Sequence, residues 1–242
     1  MNRPKLASVL AFAALVVPMV PAHSTPSGES TAPVLTEIHD HLRKAQICID
    51  EGTFALAAAH ADAVLVKDDF TYAVKWEGVA EGLKPRAKEA LSQGLENWRT
   101  GLKNSVSFTE ITDAAKADVV IRFKPDVRMD GEPVAGYANW RRVIDQAPNG
   151  TVTTRVTADL QIRLLTPAKR TMSKEAVRHE IMHEMGHVLG LEDTDDIGNI
   201  MGPLDVDHPA AGPKAHEIQA VWDIRTQAKK IRLQAKAQVL KR

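Results

Sequence analysis

Residues 183–193 read His-Glu-Met-Gly-His-Val-Leu-Gly-Leu-Glu-Asp, and this run constrains the fold and chemistry of the chain more than any other. On a helix, His183 and His187 are four residues apart, so both imidazoles project from one face about one turn from each other. This spacing suits two nitrogen ligands of one zinc ion. Gly190 can adopt the left-handed conformation that ends a helix, after which the chain can carry Asp193 back to the same metal. Three protein ligands leave a fourth position open, which is typical of a catalytic rather than a structural zinc site.

Glu184 is the predicted catalytic residue of this run. It follows the first histidine, where its carboxylate can act on a water at the open position instead of binding the metal. The alternative is a site that binds zinc without turnover, and the presence of Glu184 favours catalysis.

The same run is similar to the signature of the metzincin metallopeptidases, His-Glu-x-x-His-x-x-Gly-x-x-His/Asp followed by a methionine turn. The turn corresponds to Asn199-Ile200-Met201-Gly202-Pro203. The layout resembles the matrixin branch or a bacterial relative of it, strongly over residues 173–203 and more loosely over residues 71–228. One departure is Asp193, since most members have histidine there and some bacterial members have aspartate. With a carboxylate ligand, zinc lowers the pKa of its bound water less than it would with a neutral imidazole in that place.

The resemblance implies an α+β fold, with a mixed twisted sheet, an active-site helix and a C-terminal helix. It also implies a zinc-dependent endopeptidase that acts on peptides or proteins, with Met201 as an apolar floor beneath the zinc. Some relatives use a tyrosine after the methionine turn to stabilise the oxyanion. This chain has only Tyr72 and Tyr137, so that role is left unassigned.

A second His-Glu-x-x-His, residues 179–183, overlaps the first by one histidine. Its third-ligand position is Leu189, which cannot bind a metal, so His183, His187 and Asp193 are favoured as the ligands. His179 lies one turn earlier on the same helix face. It is interpreted as a buried, hydrogen-bonded histidine behind the ligands, and the alternative is a different ligand set that includes it.

The chain opens with a pattern typical of an export signal. Arg3 and Lys5 precede a mostly apolar run from Leu6 to Val20, and cleavage is predicted after Ala22. The sequence therefore predicts a signal peptide over residues 1–22 and a secreted or periplasmic protein. The apolar run is shorter than the roughly twenty residues of a membrane span, so no stable span is expected after cleavage; an uncleaved anchor is the alternative.

The charge balance and the cysteine count bear on two points, nucleic acid as a partner and an internal disulfide. Without Arg3 and Lys5 the chain has 29 basic and 31 acidic residues, a net charge near −2, which gives no reason to expect nucleic acid as a partner. Cys48 is the only cysteine, so an exported chain has no internal disulfide. Some matrixin propeptides block the zinc with a cysteine, but Cys48 lies in an apolar helical stretch without that motif. It is interpreted as a buried core thiol.

Residues 23–33 are a polar linker rich in Pro, Ser and Gly. Residues 34–70 predict a helical hairpin, because an apolar stripe from Leu35 to Ile49 is broken at Gly52 and followed by the alanine-rich segment 54–66. The hairpin resembles one tetratricopeptide unit, and a single unit cannot bury its own apolar face. It is therefore predicted to pack on another surface, as a binding module or as a pro-region that covers the cleft.

Residues 71–242 form the predicted catalytic domain. Its elements are a strand at 71–75, an amphipathic helix at 79–102, strands at 106–111, 119–123, 135–140 and 156–164, the active-site helix from Ser173, and a last helix that Pro213 starts. By resemblance, Gly136, Tyr137 and Ala138 belong to the sheet edge that pairs with an extended peptide, and an ordinary interior strand is the alternative.

Residues 126–133 are predicted to be a loop from their Pro, Asp and Gly content. Asp126, Asp130 and Glu132 make this loop a candidate calcium site, as in some relatives, although three carboxylates in a loop are more often simply solvated.

Two functions from different classes remain. The first is a secreted zinc endopeptidase with Glu184 as general base. The second is a non-catalytic, zinc-stabilised protein that uses the N-terminal hairpin to bind a partner.

Overall fold

The computed structural model describes residues 32–65 and 67–239. The predicted signal peptide and almost all of the predicted linker lie outside the described residues. None of the helices in residues 32–65 and 67–239 is long and apolar enough to cross a membrane.

The described part begins with a helical hairpin. Helices α1 (Thr36–Asp50) and α2 (Phe54–Leu65) are joined by a tight turn, in which Gly52 adopts a φ of 73°. That positive φ is accessible to glycine without steric cost, which explains why the apolar stripe is broken there. Cys48 is half-buried on α1, so its assignment as a buried core thiol is wrong.

Seven strands and three further α-helices follow in the described part of the chain. The strands are β1 (Asp69–Trp76), β2 (Ser107–Glu110), β3 (Val119–Lys124), β4 (Val127–Met129), β5 (Glu132–Val134), β6 (Gly136–Gln146) and β7 (Val152–Arg163). Five of them form one sheet in the order β2-β1-β3-β7-β6, in which only the β6–β7 pairing is antiparallel. Strand β6 is therefore an edge strand, and the alternative of an interior strand is wrong.

The segment 126–133 is not a simple loop, because β4 and β5 pair in it as a small antiparallel hairpin. Asp130 and Gly131 connect the two strands with φ values of 51° and 88°. An Asp-Gly pair suits this kind of two-residue turn because both positions need positive φ. The Asp-Gly signal was available in the sequence, but the short flanking strands made the segment look irregular.

The remaining helices are α3 (Lys84–Gly101), α4 (Lys174–Leu189) and α5 (Ala215–Val239). Helix α3 begins later than its apolar spacing predicts, because Pro85 occupies the first turn and a short 3₁₀ turn precedes it. The main core lies between the sheet and helices α3 and α4, with Trp98, Phe123, Leu160 and Ile181 among its fully buried members.

A second apolar core joins the N-terminal hairpin to α5. It consists of residues from α1, α2 and α5, with Leu35 preceding α1: Leu35, Ile38, Leu42, Ala45, Ala61, Val64, Leu65, Ile224, Ala228 and Ile231. The hairpin thus buries its apolar face within the same chain. The α+β fold, with its mixed sheet, zinc-motif helix and C-terminal helix, is confirmed.

Candidate metal centre

Helix α4 has the start and end that its sequence predicts. The Oγ of Ser173 accepts a hydrogen bond from the N–H of Ala176 (3.0 Å), which caps the first turn. Gly190 ends the helix in the left-handed conformation with φ 105°, and the N–H of Leu191 returns to the carbonyl of Gly186 (2.9 Å). This reversal sends residues 191–193 back along the helix, toward the histidine side chains.

The structure brings His183, His187 and Asp193 together. The Asp193 Oδ1 lies 3.2 Å from His183 Nε2 and 3.4 Å from His187 Nε2. One potential ligand atom from each residue lies within 4.8 Å of the other two, and no other group in the described residues converges in this way. The two imidazole rings lie on successive helical turns and are nearly perpendicular, with centroids 4.9 Å apart.

Both histidines are oriented from behind by backbone carbonyls. His183 Nδ1 donates to the carbonyl of Ile200 (2.9 Å), and His187 Nδ1 donates to that of Leu191 (3.0 Å). A proton on Nδ1 leaves the lone pair of Nε2 free to bind a metal. Two Nε2 atoms and one carboxylate oxygen form a donor set that fits zinc.

The charges of the cluster are strongly coupled. Burial lowers the pKa of His183, but the hydrogen bond to Asp193 and the charges of Glu180 and Glu184 outweigh it and raise that pKa to about 9. The hydrogen bonds from His183 and His187 hold the pKa of Asp193 well below its usual range.

Glu184 lines the same cleft, together with a second carboxyl that the sequence reasoning missed. Glu180 lies one turn earlier on α4, is only 5% exposed, and shares a hydrogen bond with Glu184. Burial raises the pKa of both groups, and the charge of Glu180 raises that of Glu184 further. The i, i+4 spacing of the two glutamates was the signal available in the sequence.

Strand β6 runs past α4 and presents alternate residues to it. A Cβ built on Gly136 would lie 2.5 Å from Glu184 Oε1 and even closer to Glu180 Oε1, so only glycine allows this approach. Further along the strand, the Trp140 ring stacks on His187 with centroids 5.6 Å apart. The cleft has a volume of about 350 Å³ and extends from the start of β6 across α4 to the methionine turn.

Met201 also lines the cleft, and its side chain lies against Gly186 of α4. A Cβ on Gly186 would overlap the Met201 sulfur, so the glycine lets the thioether approach the helix backbone between the two histidines. The turn is anchored by a second residue that the sequence reasoning missed: Glu217 is fully buried, and its carboxylate accepts hydrogen bonds from the N–H groups of Met201 (2.8 Å) and Lys214 (2.7 Å).

His179 lies apart from the converging cluster. It is buried, and its Nδ1 accepts a hydrogen bond from the N–H of Ala210 (3.1 Å). Its ring centroid lies 6.4 Å from that of His183, and burial lowers its pKa to about 4. The side chain therefore contacts the segment after the methionine turn.

The candidate calcium residues do not converge. Asp126 forms ion pairs with Arg163 (2.8 Å) and Arg128 (3.0 Å), while Asp130 and Glu132 lie on the β4–β5 hairpin without forming a metal-binding group with it. The calcium site stays a prediction.

The N-terminal hairpin reaches the metal centre through α1. Val34 pairs with Leu191 in a short bridge, with the Leu35 N–H donating to the Gly190 carbonyl (3.0 Å). The Glu37 carboxylate accepts a hydrogen bond from Trp140 Nε1 (2.8 Å) and pairs with the buried Arg142 (2.8 Å). Since Trp140 stacks on His187, α1 braces one of the two histidines.

A profile of the matrixin family matches residues 65–224. The chain belongs to the matrixin family. Membership places it among the metzincin-like zinc peptidases, and the His-His-Asp cluster of this matrixin fits a zinc site. The match begins in the last turn of α2, so most of the hairpin lies outside the matrixin region.

Comparison with curated sequences finds no match. Among solved structures, 77 chains match this matrixin. One of them is archaemetzincin from Methanopyrus kandleri, with 14% sequence identity and a TM-score of 0.41 over 66% of this chain and 97% of that chain.

Proposed function

We propose that this matrixin is a zinc-dependent endopeptidase in which His183, His187 and Asp193 hold the metal and Glu184 is the general base. The observation that carries the proposal is the convergence of two Nε2 atoms and one carboxylate oxygen beside a cleft that also contains Glu184. Three ligands leave one position for water, which is typical of catalytic zinc.

The chain's own residues supply the positioning and the proton transfer. When bound, zinc polarises the scissile carbonyl, and its positive charge opposes the raised pKa of Glu184. Glu184 accepts the proton of the attacking water and returns it to the leaving amine. The backbone carbonyls of Ile200 and Leu191 fix the tautomers of the two histidines, and Met201 excludes water from beneath them.

The edge strand is the proposed substrate platform. The free edge of the sheet is strand β6, which begins with Gly136, Tyr137 and Ala138, and Gly136 lies directly beside Glu184. An extended peptide that paired with this edge would bring its scissile bond over the cleft, and backbone pairing gives affinity with little sequence preference.

A binding protein that uses the hairpin to hold a partner is the weaker alternative. The apolar faces of α1 and α2 are covered by α5 within the chain, so the hairpin does not present an unpaired apolar surface of that kind. Secretion or periplasmic location is proposed from the pattern in residues 1–22 alone, and N-terminal sequencing of the exported protein tests the cleavage after Ala22.

The decisive experiment compares wild-type protein with Glu184→Gln. We expect the wild type to digest an unstructured protein substrate, to lose activity with a chelator and to regain it with zinc. Glu184→Gln should bind zinc stoichiometrically with kcat/KM lowered by on the order of 10² to 10⁴, the usual contribution of a general base. Unchanged activity in this variant would refute the assigned base, and a zinc-loaded wild type that cleaves no peptide in a broad library would favour the binding protein.

A further inference from the structure

Two of the buried acids in this matrixin lack the donors that the others have. The described residues contain four buried acidic side chains: Asp118, Glu180, Glu184 and Glu217. Asp118 accepts hydrogen bonds from Lys67 Nζ (2.6 Å) and from the backbone of Thr71 (2.8 Å), and Glu217 accepts two from backbone N–H groups. Glu180 has its hydrogen bond to Glu184, and no Lys or Arg of the described segments pairs with it.

A metal ion at the proposed site does not neutralise the cleft completely. Four carboxyl side chains line it, those of Glu180, Glu184, Asp193 and Asp195, and none of its lining residues is Lys or Arg. Glu180 and Glu184 share a hydrogen bond, so they hold a proton between them until Glu184 is ionised as the base. In that ionised state, a divalent cation offsets two of the four negative charges. Asp195 is exposed and solvated, so Glu180 is the acid that remains both buried and without a cation.

We infer that Glu180 makes the cleft selective for a peptide residue with a cationic side chain, lysine or arginine, next to the scissile bond. This inference rests on the proposed peptidase function and specifies its substrate class. A buried carboxyl without a cationic partner is costly, and a ligand that brings the missing cation recovers that cost on binding.

The rest of the cleft suits the stem of such a side chain. Val134, Ala135, Pro203 and Leu204 provide apolar wall, and the volume of about 350 Å³ accommodates an extended butyl or propyl chain. A lysine or arginine can lay its methylenes along this wall while its charged end reaches Glu180. Glu180 lies beside Gly136, where the edge strand begins, so it faces residues close to the scissile bond of a bound peptide.

The test is a set of acetylated, amidated peptides that differ only at the residues flanking the cleaved bond, which carry lysine, arginine, norleucine or glutamate. Norleucine matches the lysine stem without its charge. A charge-assisted hydrogen bond contributes about 1.5–3 kcal/mol, so we expect kcat/KM to favour lysine over norleucine by about 10- to 100-fold. The ratio is measured within one protein, so a general loss of rate does not affect it.

The Glu180→Gln variant keeps the size of the side chain and removes its charge, and it should bring the lysine-to-norleucine ratio close to one. Glu175→Gln is the matched control, because Glu175 is an exposed glutamate in the first turn of the same helix and should leave the ratio unchanged. A lysine-to-norleucine ratio near one in the wild type, or an unchanged ratio in Glu180→Gln, would overturn the inference. Neither result would contradict the proposed peptidase function.

A binding measurement separates this inference from the peptidase proposal. Fluorescence polarisation of labelled lysine and norleucine peptides on zinc-loaded Glu184→Gln protein requires no turnover. Tighter binding of the lysine peptide supports the inference even if the wild type cleaves nothing, and equal binding contradicts it. A last set of peptides carries a free α-amino group. If only the first peptide bond of these peptides is cleaved, the cation that Glu180 binds is the N-terminal ammonium group, and selectivity for a cationic side chain is overturned.

Discussion

Removing the Glu37 carboxylate should weaken zinc binding from a position outside the matrixin region. Glu37 accepts the Trp140 indole N–H and pairs with Arg142, whose side chain is 0% exposed and also donates to the Val188 carbonyl at the end of the zinc-motif helix (3.3 Å). Glu37→Ala leaves that guanidinium buried without a counter-ion, which costs about 3–5 kcal/mol. Glu37 itself is 40% exposed, so water can enter and the lower end, about 3 kcal/mol, is expected.

The expected loss of stability corresponds to a fall in Tm of roughly 6–12 °C for a chain of this size. Because Trp140 stacks on His187, zinc affinity should also fall, by about 10- to 100-fold, as for other groups that orient a metal ligand. Calorimetry and competition with a chromogenic chelator measure the two effects. Glu37→Gln keeps an acceptor for Trp140 and should lose less affinity, and the exposed Glu51→Ala is the control.

The same reasoning predicts the result of deleting residues 1–66. Deletion exposes Ile224 and Ile231 of α5, at about 1.5–3 kcal/mol each, and removes the bridge to Leu191. We expect an unstable protein with weakened zinc binding. A trimmed protein that stays folded, binds zinc equally well and becomes more active would refute this account and identify the hairpin as a pro-region.

Three further predictions concern the cleft, the methionine turn and pH. Gly136→Ala should lower kcat/KM by on the order of 100-fold with little change in Tm, because the new methyl group displaces the flexible ends of two cleft carboxylates, whereas Gly82→Ala has open space and should change neither. Glu217→Ala removes two charge-assisted hydrogen bonds from the methionine turn and should destabilise the protein by about 3 kcal/mol in urea unfolding; an unchanged midpoint would contradict the anchoring role. In protein freed of metal with a chelator, the pKa of His183 is about 9 in the folded state and 6.5 in the unfolded state. Its contribution to folding stability is therefore fully present below pH 6.5 and is lost as pH rises through 9. The free energy of unfolding should fall by at most about 3 kcal/mol over this range, because solvent at the exposed Asp193 reduces the effect. A free energy of unfolding that stays constant from about pH 6 to about pH 9.5 would contradict the prediction.

Much of the site was predictable because its determinants are local. The spacing of His183 and His187, the Ser173 cap and the Gly190 stop lie within one helix and its flanking turns, and the structure shows each of these local features. The sheet was predictable in outline from strand patterning, but its order was not. Which strand forms the edge depends on pairings such as that of β3 with β7, which are distant in sequence.

The supports of the site could not be predicted, since each is a contact between segments far apart in the chain. Nothing near Gly136 indicates that two carboxyl groups will approach its α-carbon, and nothing near Glu37 indicates a route to His187 through Trp140. The zinc motif specifies which atoms can bind a metal, whereas these distant contacts determine how rigidly those atoms are held. Variants at Glu37 should therefore change zinc affinity while the motif itself stays intact, and variants at Glu180 should change substrate choice while the three metal ligands stay in place.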